Sequence, residues 1–409
     1  MPALTVTAAG RVPAAVQPTA RVFLLLGTAS GVAAGILSVA LPLYALQLGA
    51  TPAQTGLLRA VSGLGLLLAV LPAGLCIDRF GARSVFLAGS LGAAVCLLGC
   101  AAATGPSLLA LLMLGEAIGR GLQFGALAAA FLQVLPHIGL HRVGWHKGSV
   151  SLGISVLGPV LGGALLGWLP FAAVFVVAGA LAVAANLPLR LVALPPRRAS
   201  GSTGTLWDRM IATRLALATL LLQRDVRRCL AAEALVTATF AAFATFIVVL
   251  AVTERGLSPE ATAWITGVEG AAYIATAFVA AGLLQRLPSS RAMSLGALLV
   301  IPALVGLAVA TRLAQLLLFG ATLGVGIGLL TLVITTRAGT LAGEKGRVTD
   351  LFMIATSLGG AAGPAFAGAV AAGFGTPAVF LAVVPLFALL AAQGARAAHV
   401  STSALTEAP

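Results

Sequence analysis

The sequence predicts an all-α polytopic membrane protein whose twelve transmembrane helices form two pseudo-symmetric six-helix bundles. Composition, the length of the apolar runs and the recurrence of motifs carry this expectation. Of 409 residues, 60% are hydrophobic and only 9% charged, with a mean hydropathy of +1.08. A water-soluble domain has about 45–50% apolar and about 25% charged residues. So few charges cannot cover this much apolar surface, and the solvent around most of the chain must be a lipid bilayer. The formal charge of +13 raises the question of nucleic acid. That partner requires basic residues gathered on one solvated face, whereas here they are scattered through short connections, so nucleic acid is excluded.

A hydrocarbon core of about 30 Å needs about 20 apolar residues per helix, while barrel strands would alternate over segments of about 10. The runs are of helical length, near 22–46, 55–77, 84–103, 107–134, 148–167 and 171–193, then 229–252, 261–285, 292–310, 314–336, 351–372 and 377–395. The first follows a polar lead and lacks a small-residue cleavage site, so it is read as a retained helix. The chain divides into an N-terminal segment (1–21), a first bundle (22–193), a linker (194–228), a second bundle (229–395) and a tail (396–409). Within the linker, Trp207, Met210, Ile211, Leu215 and Leu217 alternate with Asp208, Arg209 and Arg214, which suits an interfacial amphipathic helix; a plain solvated connection is the other reading.

Basic residues decide orientation. With the N-terminus in the cytoplasm, Arg11, Arg21, Arg79, Arg83, Arg142, Lys147, the arginines around the linker, Arg286, Arg291, Arg337, Lys345, Arg347 and Arg396 all fall inside. Arg255 and Arg312 fall outside, and Arg59 lies just within the outer end of the second span, where it is expected to snorkel to the surface, a role near the outer opening being the other reading. The chain is therefore placed in a cell's inner membrane with both termini cytoplasmic.

Motifs recur between the halves. Gly74 to Arg83 follows the second span, and Gly282 to Arg291 follows the eighth at an offset of 208. Gly158-Pro159-Val160-Leu161-Gly162-Gly163 in the fifth span matches Gly363-Pro364 in the eleventh at 205, and Gly119 with Gly121 matches Gly324 with Gly326 at the same 205. Such offsets mark a duplicated half.

These motifs resemble those of the major facilitator superfamily (MFS), and the resemblance runs from about residue 22 to residue 395. Gly74, Asp78, Arg79, Gly81 and Arg83 match the family's loop signature, Gly-x-x-x-Asp-Arg-x-Gly-x-Arg. Arg120-Gly121-Leu122-Gln123-Phe124-Gly125 is similar to its fourth-helix motif, and the Gly158–Gly163 stretch to the fifth-helix signature of exporters and antiporters, except that Ile154 stands where that signature carries Gly. Pro42-Leu43-Tyr44 adds a likeness to drug-exporter-like members. The resemblance implies a secondary transporter working by alternating access, with the 74–83 loop as a cytoplasmic gate that meets the start of the eleventh helix. Asp78 beside Arg79 and Arg83 suits such a contact, because a carboxylate is favoured both by cations and by a helix N-terminus. A solvated loop is the competing reading.

Charges within spans are costly and usually line an aqueous path. Glu116 and Arg120 are four apart, so they share a helix face and can pair, roughly 14 and 20 Å below the outer end at about 1.5 Å per residue. Gln123 extends that polar stripe, and Arg120, Gln123 and Tyr44 are candidate cavity residues. Glu116 is expected to take and release a coupling proton while Arg120 biases its proton affinity; a permanently ionised structural pair is the alternative. Glu269 in the eighth span is a second proton site or else a partly hydrated vestibule residue. Glu233, near Arg227 and Arg228, is read as an interfacial ion pair. At Gly158, Pro159, Gly162, Gly163, Gly363 and Pro364, helix bending and plain helix contact are both open, since Pro removes a donor while Gly admits a close backbone. Gly31 and Gly35 read as a packing face.

Other chemistry lacks residues. No phosphate-cradling Gly-x-x-x-x-Gly-Lys-Ser/Thr loop occurs, which excludes ATP-driven pumping. Cys76, Cys96, Cys100 and Cys229 lack paired spacing, and His137, His141 and His146 read as a solvated connection, so no metal, cofactor or enzymatic activity is expected. A cavity walled by Ala, Gly, Leu and Val suits a small amphiphilic or moderately apolar organic solute better than a sugar. The expected mode is proton-coupled export by a monomer. Uptake on the same fold is the first alternative, and a sensor or assembly protein that moves nothing is the second.

Overall fold

In the computed structural model, residues 16–138, 143–189, 220–284, 288–340 and 345–406 are described. The expected amphipathic stretch from Trp207 to Leu217, together with Arg286 and His141, lies outside them. Every regular element in the described residues is helical. The first half comprises α1 (Val16–Gln47), α2 (Pro52–Phe80), α3 (Ala82–Ala101), α4 (Pro106–Ile138), α5 (Val143–Leu152), a π-helical turn (Gly153–Leu157), α6 (Gly158–Trp168), α7 (Phe171–Ala184) and the short α8 (Asn186–Leu189). The second comprises α9 (Arg224–Val249) with a π turn (Leu250–Glu254), α10 (Pro259–Leu284), α11 (Ser289–Val309), α12 (Leu313–Thr340), α13 (Lys345–Phe374), α14 (Thr376–Ala382) and α15 (Val384–Thr406).

Eleven of the described helical segments are long and apolar enough to cross a membrane, and α2, bent by 47° ahead of Pro72, makes a twelfth when its arms are joined. Each lies within about five residues of a run read from hydropathy, because the thickness of hydrocarbon sets the length of both. The outward surface is apolar, as lipid requires: Trp168 and Phe374 are 85% and 82% exposed.

Helix contacts repeat between the halves. A side chain at Gly158 of α6 would meet Gly35 of α1, and one at Gly363 of α13 would meet Ala238 of α9. One turn earlier, Gly153 packs on Gly31 and Gly359 packs on Ala234. Residues 153 and 158 are five apart, whereas 359 and 363 are four apart. The π turn accommodates that extra residue, so Gly153 faces α1 although the exporter signature expects its glycine one position later, at Ile154. Gly31 and Gly35 are indeed a packing face, with α5 and α6 seated on it.

The same geometry corrects one offset. Gly119 packs on α3 and Gly121 on α2, whereas Gly324 packs on α10 and Gly326 on α11. Because α10 and α11 correspond to α2 and α3, the mate of Gly119 is Gly326 and that of Gly121 is Gly328, an offset of 207 in place of 205. Two residues turn a helix by about 200°, which exchanges its faces. The residue equivalent to Arg120 is thus Ile327, where an offset of 205 would place Val325.

Two further contacts join the halves at the face opposite the N-terminus. Gly163 of α6 sits beneath Pro259, Glu260 and Ala263 of α10, while Gly368 of α13 sits beneath Pro52, Ala53 and Gly56 of α2. Each pair is the other's pseudo-twofold mate, and a Cβ at either glycine would stand 3.0 Å from the carbonyl oxygen of the facing proline. Val39 and Leu43 of α1 complete this closure by packing into the second half's core with Phe243, Phe246 and Ile247.

Candidate functional site

A cavity of about 360 Å³ lies between the halves below those contacts, bounded by Arg59, Ser62, Arg120, Glu233, Tyr273 and Thr356. Helix periodicity presents them. On α2, Arg59, Ser62, Gly63 and Leu66 follow i, i+3, i+4, i+7 spacing, and on α9 Glu233, Val236, Thr237 and Phe240 do the same, so each helix turns one stripe inward. A capping box sets the start of α2: Thr51 accepts from the Gln54 amide at 3.3 Å, and the Gln54 side chain accepts from the Thr51 amide at 2.9 Å. Ser151, Ser155, Thr237, Thr331 and Ser357 make the wall richer in hydroxyl groups than the Ala/Gly/Leu/Val wall expected from composition.

Glu116 and Arg120 pair as their spacing requires. The guanidinium donates to both carboxylate oxygens, at 2.8 and 3.1 Å, with side chains 3% and 13% exposed. Arg120 borders the cavity and Glu116 stands behind it. A bidentate buried pair of this kind satisfies both charges in a medium where either alone would be costly. Gln123 does not continue the stripe into the cavity. Its amide donates to Ser30 Oγ at 3.3 Å and to the Ala182 carbonyl at 3.5 Å, tying α4 to α1 and α7. Glu269 is 1% exposed, and its Oε1 has no hydrogen-bond partner among the described residues. It lies one turn from Tyr273 on α10, with Gly324 of α12 packed on its carbonyl.

Three expectations are corrected. Arg59 lines the cavity and does not snorkel to the surface. Glu233 also lines it: Thr356 donates its hydroxyl to Glu233 Oε1 at 2.9 Å, while Arg228 approaches Asp225 at 3.9 Å instead. Tyr44 stands outside the cavity, donating to the Ala103 carbonyl at 2.9 Å and packing against Phe171 and Phe175 with ring centroids 5.3 and 5.2 Å away.

The loop motif occupies the end of α2 nearest the N-terminus. Gly81 links α2 to α3 with φ +83°, a conformation that favours glycine, and its amide donates to the Ile77 carbonyl. Asp78 and Arg83 are exposed, and Arg79 lies 5.3 Å from the ring centre of Phe80. Asp78 makes no ion pair among the described residues, and a side chain at Gly74 would find open space.

Helix spacing could have revealed the inward stripes of α2 and α9. Spacing carries no mark of which helix faces which, and on their own helices Arg59 and Glu233 each read as residues of the nearer membrane surface.

The fold is similar to known transporters. A bacterial homologue of the human lysosomal transporter Spinster, in an inward-facing and unoccupied conformation, matches with a TM-score of 0.76 at 17% identity over 93% of this chain and 96% of that one. The nucleoside transporter NupG matches with a TM-score of 0.75 at 14% identity over 92% and 98%. The human organic anion transporter MFSD10 matches with a TM-score of 0.66 at 19% identity over 93% and 99%. No curated protein sequence matches. The sequence profile of the Major Facilitator Superfamily matches residues 23–250 and 229–403, and the chain belongs to that family of membrane transporters.

Proposed function

We propose that the protein moves a small organic solute across the cytoplasmic membrane by alternating access, in the mode of proton-coupled export. The observation that carries this reading is the position of the cavity. It lies on the interface of two half-molecules and is closed on one face by contacts that the pseudo-twofold relates. Halves that meet there through glycine contacts and the apolar side chains of α1 can rock apart at that face and meet at the other end. On this reading Gly74, Asp78, Arg79, Gly81 and Arg83 form the cytoplasmic gate, and the Gly158–Gly163 and Gly363–Pro364 segments allow the helices to move.

Proton coupling is assigned to Glu116 and Glu269. Glu116 can exchange Arg120 for a proton. Glu269 is buried within α10, and its Oε1 takes no hydrogen bond among the described residues, so its carboxyl is sheltered from water along the span. The test uses protein reconstituted in liposomes with a solute found by ligand-stabilisation screening. Glu116→Gln and Glu269→Gln should each abolish gradient-driven transport while counterflow exchange persists. Driven transport that survives both substitutions refutes the coupling assignment.

A further inference from the structure

The charges in the cavity are divided between the halves. The guanidinium of Arg59 enters from α2 and that of Arg120 from α4, both in the first half, whereas the carboxylate of Glu233 enters from α9 in the second. Arg120 is neutralised by Glu116. Arg59 makes no ion pair and no hydrogen bond among the described residues, and three positions along the same face the Ser62 hydroxyl, 3% exposed, also lacks a partner. A guanidinium stays charged at every physiological pH and offers five donors, so leaving it unpaired in a membrane-embedded cavity is costly. Glu233 accepts from Thr356 through Oε1 only, and its second oxygen takes no hydrogen bond among the described residues.

We infer that this cavity binds a small dipolar solute, with its anionic group on Arg59 and Ser62 and its cationic group on Glu233. With Glu116 and Arg120 cancelling, Arg59 and Glu233 leave the site neutral in sum but polarised. A simple anion leaves Glu233 unneutralised, and a simple cation leaves Arg59 so. A zwitterion satisfies both. The 360 Å³ volume falls at the small end of ligand pockets, and Leu66, Ile154 and Phe240 offer an apolar wall for the carbon chain between the charges. Because the two charges belong to different halves, one bound molecule ties the halves together, which gives the solute a differential hold on the occluded state. That consequence rests on the transport reading; the binding preference does not.

The experiment is equilibrium binding to the purified full-length protein, with no gradient and no transport. The probes are straight-chain ω-amino carboxylates of increasing length, with monocarboxylates and monoamines of matched length, scored by the rise in unfolding midpoint. For wild type, at least one amino carboxylate binds about tenfold or more tighter than either singly charged analogue. Arg59→Gln abolishes binding of amino carboxylates and monocarboxylates alike, Arg59→Lys restores part of it, and Glu233→Gln erases the preference for the dipolar probe while leaving monocarboxylate binding. Arg312→Gln, in an exposed connection, changes nothing. Equal binding of monocarboxylates and amino carboxylates by wild type overturns the proposal, with Glu233 then a proton carrier beside an anion site. Undiminished binding in Arg59→Gln, or no stabilisation by any probe, overturns it as well. Each of these results leaves alternating access standing, just as loss of proton coupling would leave the binding preference standing.

Discussion

Alanine at Gly163 and Gly368 tests the closure that joins the halves. In each case the added Cβ would stand 3.0 Å from a proline carbonyl oxygen of the facing helix, and at Gly163 it would also meet the Ala263 methyl. Neither obstacle is the tip of a flexible side chain, so the helices must separate. Overpacking of this kind costs about 1–3 kcal/mol per site. The gain of about 0.5–1 kcal/mol from replacing a helical glycine applies to both conformations and cancels from their equilibrium. The two sites lie on separate helix pairs, so their costs should add, to about 2–6 kcal/mol in the double variant. At about 1.4 kcal/mol per tenfold, a single substitution shifts the balance away from the closed face by roughly 5–150-fold. Spin labels at Leu57 and Phe374, in a background without Cys76, Cys96, Cys100 and Cys229, report the separation of α2 and α13 at that face. The distribution should move to longer distance in each single variant and further in the double. Gly92→Ala, where a Cβ meets nothing within 4 Å, should leave it in place. An unshifted distribution in the double variant, or an equal shift in the Gly92 control, refutes the closure as described.

Other outcomes follow from the polar groups. Glu269→Leu should raise thermal stability by about 1–3 kcal/mol, since it removes a buried carboxyl oxygen that has no partner among the described residues, and should abolish proton-driven flux; a destabilised protein would reveal a partner for that carboxyl. Glu116→Ala should destabilise by about 3–5 kcal/mol because it strands Arg120, whereas Glu116→Ala combined with Arg120→Ala should cost less than Glu116→Ala alone; additive losses in the double-mutant cycle would exclude the pair. Tyr44→Phe should lower stability by about 1 kcal/mol through loss of the bond to the Ala103 carbonyl, with solute affinity unchanged; a change in affinity would return Tyr44 to the cavity.

Much of this is legible in the sequence itself. The Glu116–Arg120 pair follows from four-residue spacing alone, because both ends of the contact lie on one helix. The glycine motifs announced close helix contacts, and the loop motif marked the end of α2. Gln123 misled because the residue three further along α4 rotates off the Arg120 face toward α1, and nothing in spacing says which of those faces borders the cavity. The repeat offset misled in the same way at α12, where two pairs of glycines two residues apart can be aligned in either register.

Composition and run length by themselves determined that the chain lives in lipid and crosses it in helices of a given length, because hydrocarbon tolerates no unsatisfied backbone. Recurring motifs marked the duplication, and the scarcity of charge marked the few residues worth attention. Only the tertiary structure decided where those charges point. Arg59 and Glu233 each lie in the first half of a helix, the two helices starting from opposite faces of the membrane, and each reads as a surface residue on its own helix. The rotation of each helix about its axis is set by packing against helices far away in the chain, and that packing turns both side chains into one cavity.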